Sequence, residues 1–429
     1  MRTPSTARPL GLLSLALIAA TLSTPAAAAA ADRTVVVTGP GNASVAVQRA
    51  GGTVLRRLPL VHGVVARLAA TSLPGFTVTP DRALTLSGRP QPGGAESTGR
   101  EALGLGRPSD QGAGVTVAVV DTGVADVPEL AGRLTHVDVT GDGVGDGYGH
   151  GTFVAALAAG ATLGVAPGAD VLDVRVGHAD GSTSLVDVMA GLQVVSEHPE
   201  ASVVNLSLST EGEVPPLTEA LEALWAMGHT VVVPAGNEGP DSNTVTSPGS
   251  DPVLLTVGSL DGTTVADWSS RGGQGLAKPD LVAPGAHLIS AGVPGSVIWG
   301  QNPSARRTGN RFVGSGTSFS TALMSGAVAV VLAEHPDLFP TYVKALVRHT
   351  ASPVAAPRSA AGDGALDLAA ALAQPLPGRA ASSTPASNDN DPWSASSWSA
   401  RQWSARQWSA RQWSAADWSA RQWSAEDWS

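Results

Sequence analysis

The chain contains no cysteine. That absence removes disulfides, thiolate zinc sites, iron–sulfur clusters and cysteine nucleophiles together, so any nucleophile must be an oxygen or an amine. Lysine is almost as scarce, since of 26 basic residues only Lys278 and Lys344 are lysines. With a net charge of −10 and no lysine-rich stretch, the chain lacks the electrostatic footprint of a nucleic-acid binder. Aromatic residues make up 4% of the chain, and most of its 11 tryptophans fall in the last 37 residues, so the rest must build its core from Val, Ala and Leu. The 50 glycines and 31 prolines follow no three-residue period, which excludes collagen. What remains is 429 residues that are 43% apolar, which excludes a wholly disordered chain and provides length for two to three domains.

Arg2 and Arg8 precede an apolar run over 10–22, which is too short to span a bilayer comfortably. Pro25 and the alanines of 26–31 follow, completing the pattern of a secretory signal peptide over 1–31. The apolar stretch 323–333 is interrupted by Ser325 and Gly326 and reads as a buried helix, so the expected product is secreted and extracellular. Residues 32–88 form a small α+β unit with strands at 34–38, 53–58, 61–68 and 83–86 and a helix at 43–50, arranged as β-α-β-β-α-β. Residues 89–107, opening on Pro90, Pro92, Gly93 and Gly94, read as an exposed linker of the kind proteases prefer. In 108–375, Val-rich runs at 115–120, 171–176, 202–208 and 230–234 alternate with helical patterns at 150–159, 185–197 and 217–227. Such alternation predicts an α/β domain, a parallel β-sheet with helices on both faces. Residues 376–429 are a Pro/Ser/Ala-rich linker and then a WSARQ-type repeat, with tryptophan at every fifth position from Trp393 to Trp428. A period of five fits neither helix nor strand, and the composition reads as a disordered tail.

Four polar residues stand out. Asp121 follows the strand TVAVV in a DTG, where it is either a turn former or a side chain at the carboxyl end of a parallel strand, facing the crevice in which such sheets bind ligands. An aspartic protease would need a second apolar-apolar-D-[TS]-G, which does not occur. His150, in GYGHGTFVA, is either structural or a general base. Asn237, in VVVPAGNEG, is either a turn residue or an amide donor for a developing oxyanion. Ser318, in GSGTSFSTALMSG, is either a helix N-cap or a nucleophile supported by a helix N-terminus.

The order Asp…His…Ser is that of subtilisin, unlike the orders of chymotrypsin and the α/β-hydrolases. The segments VAVVDTGV, GHGTFVA, VVVPAGNEG and GTSFSTA resemble the subtilisin-like serine peptidases (subtilases) over 108–375, and GVAPGADV, VVNLSLS, VTVGSLDG and KPDLVAPG are also similar to that family. The resemblance implies a subtilisin-like fold and an Asp121–His150–Ser318 triad with Asn237 at the oxyanion. It implies that Gly181, Ser182 and Thr183 on one side and Ser207, Leu208 and Ser209 on the other line an extended peptide substrate. It implies that Thr246 lies in the primary specificity pocket, where many members carry glycine, making that pocket shallow. Residues 32–88 are similar to the family's inhibitory propeptide, which makes the chain a self-processed zymogen and its own propeptide a partner, with the processing site expected in 89–107.

Two departures accompany the resemblance. The helix proline of the serine motif is Ala322 here, and a usual histidine of the GHGT segment is Phe153. The loop AAGATLGVAP lacks the Asn-rich insertion that forms a calcium site in some members. Asp138, Asp142 and Asp146 do not match an EF-hand and read as a flexible, solvated turn. No cofactor is required by this chemistry, and calcium stays unassigned. The rival function is a surface-associated binding protein that stacks its tail tryptophans on glycans or a cell surface, with a peptidase domain limited to its own maturation.

Overall fold

Alternating side chains set up the first layer. The computed structural model describes residues 32–86, 88–91, 93–273 and 275–376, so the expected signal peptide, the tryptophan repeat and nearly all of the tail linker lie outside the described residues. Strands β1 (Arg33–Thr38), β2 (Thr53–Leu58), β3 (Gly63–Leu68) and β4 (Thr77–Pro80) form an antiparallel sheet in the order β2-β3-β1-β4, joined through helix α1 (Ala43–Arg49). Asn42 caps α1 by accepting from Val45 N at 3.1 Å. Successive strand residues point to opposite faces. Val35, Val37, Val64 and Ala66 therefore meet Ala43 and Val47 of α1 in a small core. Val36 and Val65 point the other way, with Leu58 and Val61, into the core of the larger domain.

The small unit differs from its expected topology. No second helix forms between β3 and residues 83–86, where the turn at Leu73-Pro74-Gly75 leads into β4 as the fourth strand; the one further helical turn, a short 3₁₀ at Pro59–Val61, joins β2 to β3. Proline and glycine so close together leave no room for a helical run. The strand read at 83–86 does form, as β5 (Ala83–Leu86), but it pairs outside this sheet.

The larger domain is organised by its valine runs. Strands β6 (Thr116–Asp121), β7 (Leu134–Asp138), β8 (Asp170–Arg175), β9 (Val203–Leu206), β10 (Thr230–Pro234), β11 (Leu255–Asp261) and β12 (Leu281–Pro284) are parallel. With antiparallel Thr264–Val265 at the edge, they make an eight-stranded sheet ordered Thr264–Val265, β11, β10, β9, β6, β8, β7, with β12 also pairing β11. Most of their side chains are fully buried, because helices cover both faces and β-branched residues fit such strands. The helices that matter for the site are α2 (His150–Ala159), α3 (Leu185–Ser196), α4 (Pro215–Ala226) and α5 (Thr317–Glu334). Helix α5 is long and apolar enough to cross a membrane, but most of it is buried in the core, against α2 and strands β9 to β12.

Both lysines of the chain converge on one buried carboxylate. Lys278 Nζ lies 2.7 Å and Lys344 Nζ 3.1 Å from Asp280 Oδ2, with Arg348 at 3.8 Å from Oδ1. Burial raises the Asp280 carboxyl, and the three cations more than offset it, leaving a net value below the ordinary range. Asp280→Ala would strand two buried ammonium groups, and breaking such a group by removing one partner costs about 3–5 kcal/mol. Urea unfolding of this variant on a Ser318→Ala background should show that loss, and a change under about 1 kcal/mol would contradict the account.

The expected linker 89–107 is not free along its length. Ser97–Thr98 pairs with Leu288–Ile289, and the turn Gly99–Ala102 carries a Thr98–Glu101 capping box. Arg100 is buried, and its guanidinium donates to Gly106 O at 2.8 Å, Gly164 O at 3.0 Å and Gln111 Oε1 at 3.0 Å. The exposure expected from the prolines and glycines of 90–94 therefore stops before Ser97, because one arginine ties the following segment into the domain.

Candidate active site

Asp121 is the last residue of β6, a central strand, so its side chain emerges at the carboxyl edge of the sheet. His150 opens α2 after Gly149, whose φ of +104° is a left-handed conformation that suits glycine. A side chain at Gly151 would run into Gly123 O and Asp121 Cβ, so glycine lets the helix start close against the Asp121 turn. The result is a hydrogen bond from His150 Nδ1 to Asp121 Oδ1 at 2.8 Å, both side chains being buried. The same carboxylate oxygen accepts from Thr122 N at 2.7 Å. Such a contact fixes the imidazole with its Nε2 as the reactive nitrogen. That Nε2 is buried and makes no hydrogen bond to the protein.

Ser318 is the second residue of α5 and is buried at the helix N-terminus. Its Oγ donates to Ser207 O at 3.2 Å, and the Ser207 hydroxyl donates to Ser318 O at 3.3 Å. Asn237 follows β10, and its Oδ1 accepts from both Thr317 N and Thr317 Oγ1 at 3.0 Å. The amide is thus locked beside the serine, with its carbonyl turned to Thr317 and its NH₂ on the opposite side.

The match to known proteins follows this geometry. The model of the subtilase family matches residues 112–371. The chain belongs to the subtilase family. It is 37% identical to serine protease AprX of Bacillus subtilis (strain 168) over 270 residues, which is 56% of this chain and 61% of that protein. It is 35% identical to an extracellular serine proteinase of Thermus sp. (strain Rt41A) over 256 residues, 56% of each chain. It is 32% identical to subtilisin BL of Lederbergia lenta over 247 residues, 56% of this chain and 84% of that one. The chain thus spans little more than half of the first two relatives. Among solved structures it resembles fervidolysin from Fervidobacterium pennivorans, a keratinolytic enzyme related to subtilisin, with TM-score 0.65 and 25% identity over 81% of this chain and 61% of that one.

In this subtilase the cleft is occupied by the chain itself. Strand β5 lies between Thr183–Ser184 and Leu208–Ser209, pairing Leu84 with Thr183, Ala83 with Ser184, Leu86 with Leu208 and Thr85 with Ser209. Thr183, Leu208 and Ser209 of the expected substrate walls therefore hold an extended segment, and Ser207 faces Ser318. Gly181 and Ser182 instead form the preceding turn, with Gly181 at φ +85° against the Tyr148 ring and Ser182 bonded to Asp180. Thr246 is half-buried, its N–H donating to Ala235 O at 3.1 Å and its Oγ1 packed beside Gly236.

Two features of the site escaped the sequence reading. Asp146, read as part of a solvated turn, is buried. It accepts from Thr122 Oγ1 at 2.9 Å, Gly149 N at 2.6 Å, Thr152 N at 2.8 Å and Thr152 Oγ1 at 2.7 Å. It thereby ties the turn after Asp121 to the start of the His150 helix. Asp142 is likewise tied in, 3.2 Å from Arg175 Nη2, and Asp138 accepts from Thr140 and Gly143. Among the described residues no group of three or more His, Asp or Glu side chains is placed to hold a metal. The second feature is aromatic. Phe153, one departure from the family pattern, stacks on Phe319 at 4.4 Å between centroids, and Phe319 lies 5.7 Å from the His150 ring.

Burial is the largest influence on Asp146 and pushes its carboxyl up to about 6 despite the four donors. A folded-state value above the ordinary 3.8 means that folding takes up a proton. The stability this confers is complete below about pH 4 and is lost as pH rises through 6. Two units correspond to about 3 kcal/mol. In the Ser318→Ala background, Asp146→Asn should gain about that much relative to its parent between pH 4 and pH 7. A difference that stays constant across that range in chemical unfolding would contradict the assignment.

Proposed function

We propose that this subtilase is a secreted serine endopeptidase that works through an acyl-enzyme and is made as a self-processed zymogen. His150 Nε2 takes the Ser318 proton as Oγ attacks a peptide carbonyl, then delivers that proton to the leaving amine. Asp121 holds the imidazole in the useful tautomer and stabilises its cation. The Asn237 NH₂ and the Ser318 backbone N–H donate to the oxyanion as it forms. Thr183, Leu208 and Ser209 bind the substrate backbone as an added strand, and Thr246 limits the side chain accepted before the scissile bond. No step needs a metal or an organic cofactor.

The observation that supports this most is the buried 2.8 Å Asp121–His150 pair, its free Nε2 facing a cleft that holds an extended segment beside a helix-terminal serine. Relatives named extracellular or cuticle-degrading proteases support secretion and protein substrates. The propeptide role of 32–88 is supported by its packing over α3 and α4, including Leu60 N donating to Gln193 Oε1 at 2.9 Å.

The test is casein hydrolysis by the processed protein and by a chain ending at residue 384. Equal activity of the two is expected, with the tryptophan repeat as an accessory. Absence of hydrolysis by processed full-length protein, with peptides as well as casein, would overturn the reading in favour of a binding protein.

A further inference from the structure

One buried carboxylate that the proposed chemistry does not use holds both members of the Asp121–His150 pair by their backbones. Helix α2 begins at His150 without a side-chain cap of its own, because Gly149 at its N-cap has no side chain to offer. The first N–H groups of a helix still need acceptors. Here they come from outside the helix. Thr152 N donates to Asp146 Oδ2 at 2.8 Å, and Gly151 N donates to Thr122 Oγ1 at 3.0 Å. Gly149 N donates to Asp146 Oδ1 at 2.6 Å. The backbone on both sides of His150 is therefore tied to Asp146, directly at residue 149 and through the Thr122 hydroxyl at residue 151.

The same threonine reaches the other member of the pair. Thr122 Oγ1 donates to Asp146 Oδ1 at 2.9 Å, while Thr122 N donates to Asp121 Oδ1 at 2.7 Å, the oxygen that also accepts from His150 Nδ1. Bond direction leaves no slack in this ring, since a hydroxyl has a single proton to give. Thr122 gives its proton to Asp146 and accepts from Gly151 N. Thr152 gives its own to Asp146 Oδ2 at 2.7 Å and accepts from Ala125 N at 2.9 Å. Each oxygen of Asp146 thus receives two donors, and only an acceptor with no hydrogen of its own satisfies them all. Burial pushes this carboxyl up to about 6, so at neutral pH it is in that acceptor-only form. Asp146, Thr122 and Thr152 are all buried, where a donor left without an acceptor is costly.

We infer that Asp146 is a positioning residue of the peptidase, which through Thr122 sets the distance and angle between the Asp121 carboxylate and the His150 imidazole. The inference rests on the peptidase reading above and adds a residue to it. The four bonds of Asp146 go to residues 122, 149 and 152, none of them a reacting group, so it acts through the atoms it holds. A shift of about 1 Å in catalytic groups can cost on the order of 10²-fold in rate. The strands that hold the cleft segment, Thr183–Ser184 and Leu208–Ser209, lie on other parts of the chain. Loss of Asp146 should therefore appear in kcat and leave KM nearly unchanged.

The substitutions follow from the bond directions. Asp146→Asn keeps the shape and turns an NH₂ toward groups that are themselves donors. Thr122→Val keeps the shape and removes the hydroxyl, so Gly151 N loses its acceptor and Asp146 Oδ1 loses one donor. Thr122→Ser retains the hydroxyl and restores both bonds.

The experiment measures kcat per active serine, titrated to completion with a fluorophosphonate, and KM for one peptide substrate. It compares processed wild type, Asp146→Asn, Thr122→Val, Thr122→Ser and the Asp146→Asn/Thr122→Val double variant, with urea unfolding of each. Asp146→Asn and Thr122→Val should each lose at least about tenfold in kcat with KM within about twofold. Thr122→Ser should stay within about threefold of wild type, and the double variant should be no more than about threefold below the worse single, because both act through one bond. Folded Thr122→Val with kcat within about threefold of wild type would overturn the inference, as would a loss confined to KM or two losses that multiply. Should Asp146→Asn fail to fold, the Val and Ser variants of Thr122 decide alone. Wild type without peptide hydrolysis would instead overturn the peptidase reading itself.

Discussion

Ser318→Ala is expected to abolish peptide hydrolysis and leave a precursor that still carries residues 32–88. In subtilisin, removing the nucleophile lowers kcat by a factor on the order of 10⁶, and that magnitude is taken over from there. The fold should survive, because the Ser318 hydroxyl makes one hydrogen bond, to Ser207 O, and such a bond contributes about 1 kcal/mol. Chemistry and stability therefore separate cleanly in this variant. Peptide hydrolysis and the mass of the purified protein are the measurements. Residual turnover within tenfold of wild type, in a protein whose unfolding is unchanged, would show that another group attacks.

Asp121→Asn should be nearly as damaging, with a loss of about 10⁴ in kcat by analogy with the corresponding change in the serine-protease triad. The physical reason lies in what the carboxylate touches. Its Oδ1 accepts from His150 Nδ1 and Thr122 N, and its Oδ2 is buried without a hydrogen bond. An amide that keeps its oxygen toward His150 places two N–H donors where that second oxygen was buried. An amide turned the other way presents N–H to Nδ1 and holds the imidazole in the wrong tautomer. Either way the negative charge that stabilises the imidazolium is gone. A drop of less than about tenfold, with the variant folded, would mean that Asp121 is only a turn residue.

Much of the site was legible because its parts announce themselves locally. A carboxylate after an all-valine strand, a histidine between glycines before a helix, and a serine opening an apolar helix each carry a short motif. Their chain order adds the rest. The valine runs likewise disclosed the parallel sheet, since strands covered on both faces need no polar alternation. Asp146 was not legible, because a Gly-rich segment with three aspartates looks solvated until Thr122 and Thr152 close over it. Phe153 and Phe319 were visible as separate features, 166 positions apart, and only the fold stacks one ring on the other. Residues 83–86 were read as a strand, but a strand's partners are tertiary information. Here those partners are 183–184 and 208–209 rather than the small sheet. Arg100 and the two lysines make the same point for charge. Composition counts them, and only coordinates reveal that each is buried against particular acceptors.

The central claim is that one serine hydroxyl is activated by a histidine held by Asp121. The most direct measurement is labelling of the processed protein with a fluorophosphonate, followed by peptide mapping. The account predicts a single adduct, on Ser318, that is lost when His150 is changed to alanine. An adduct on any other residue, or none in a processed molecule that is folded and has released its 32–88 unit, would contradict it.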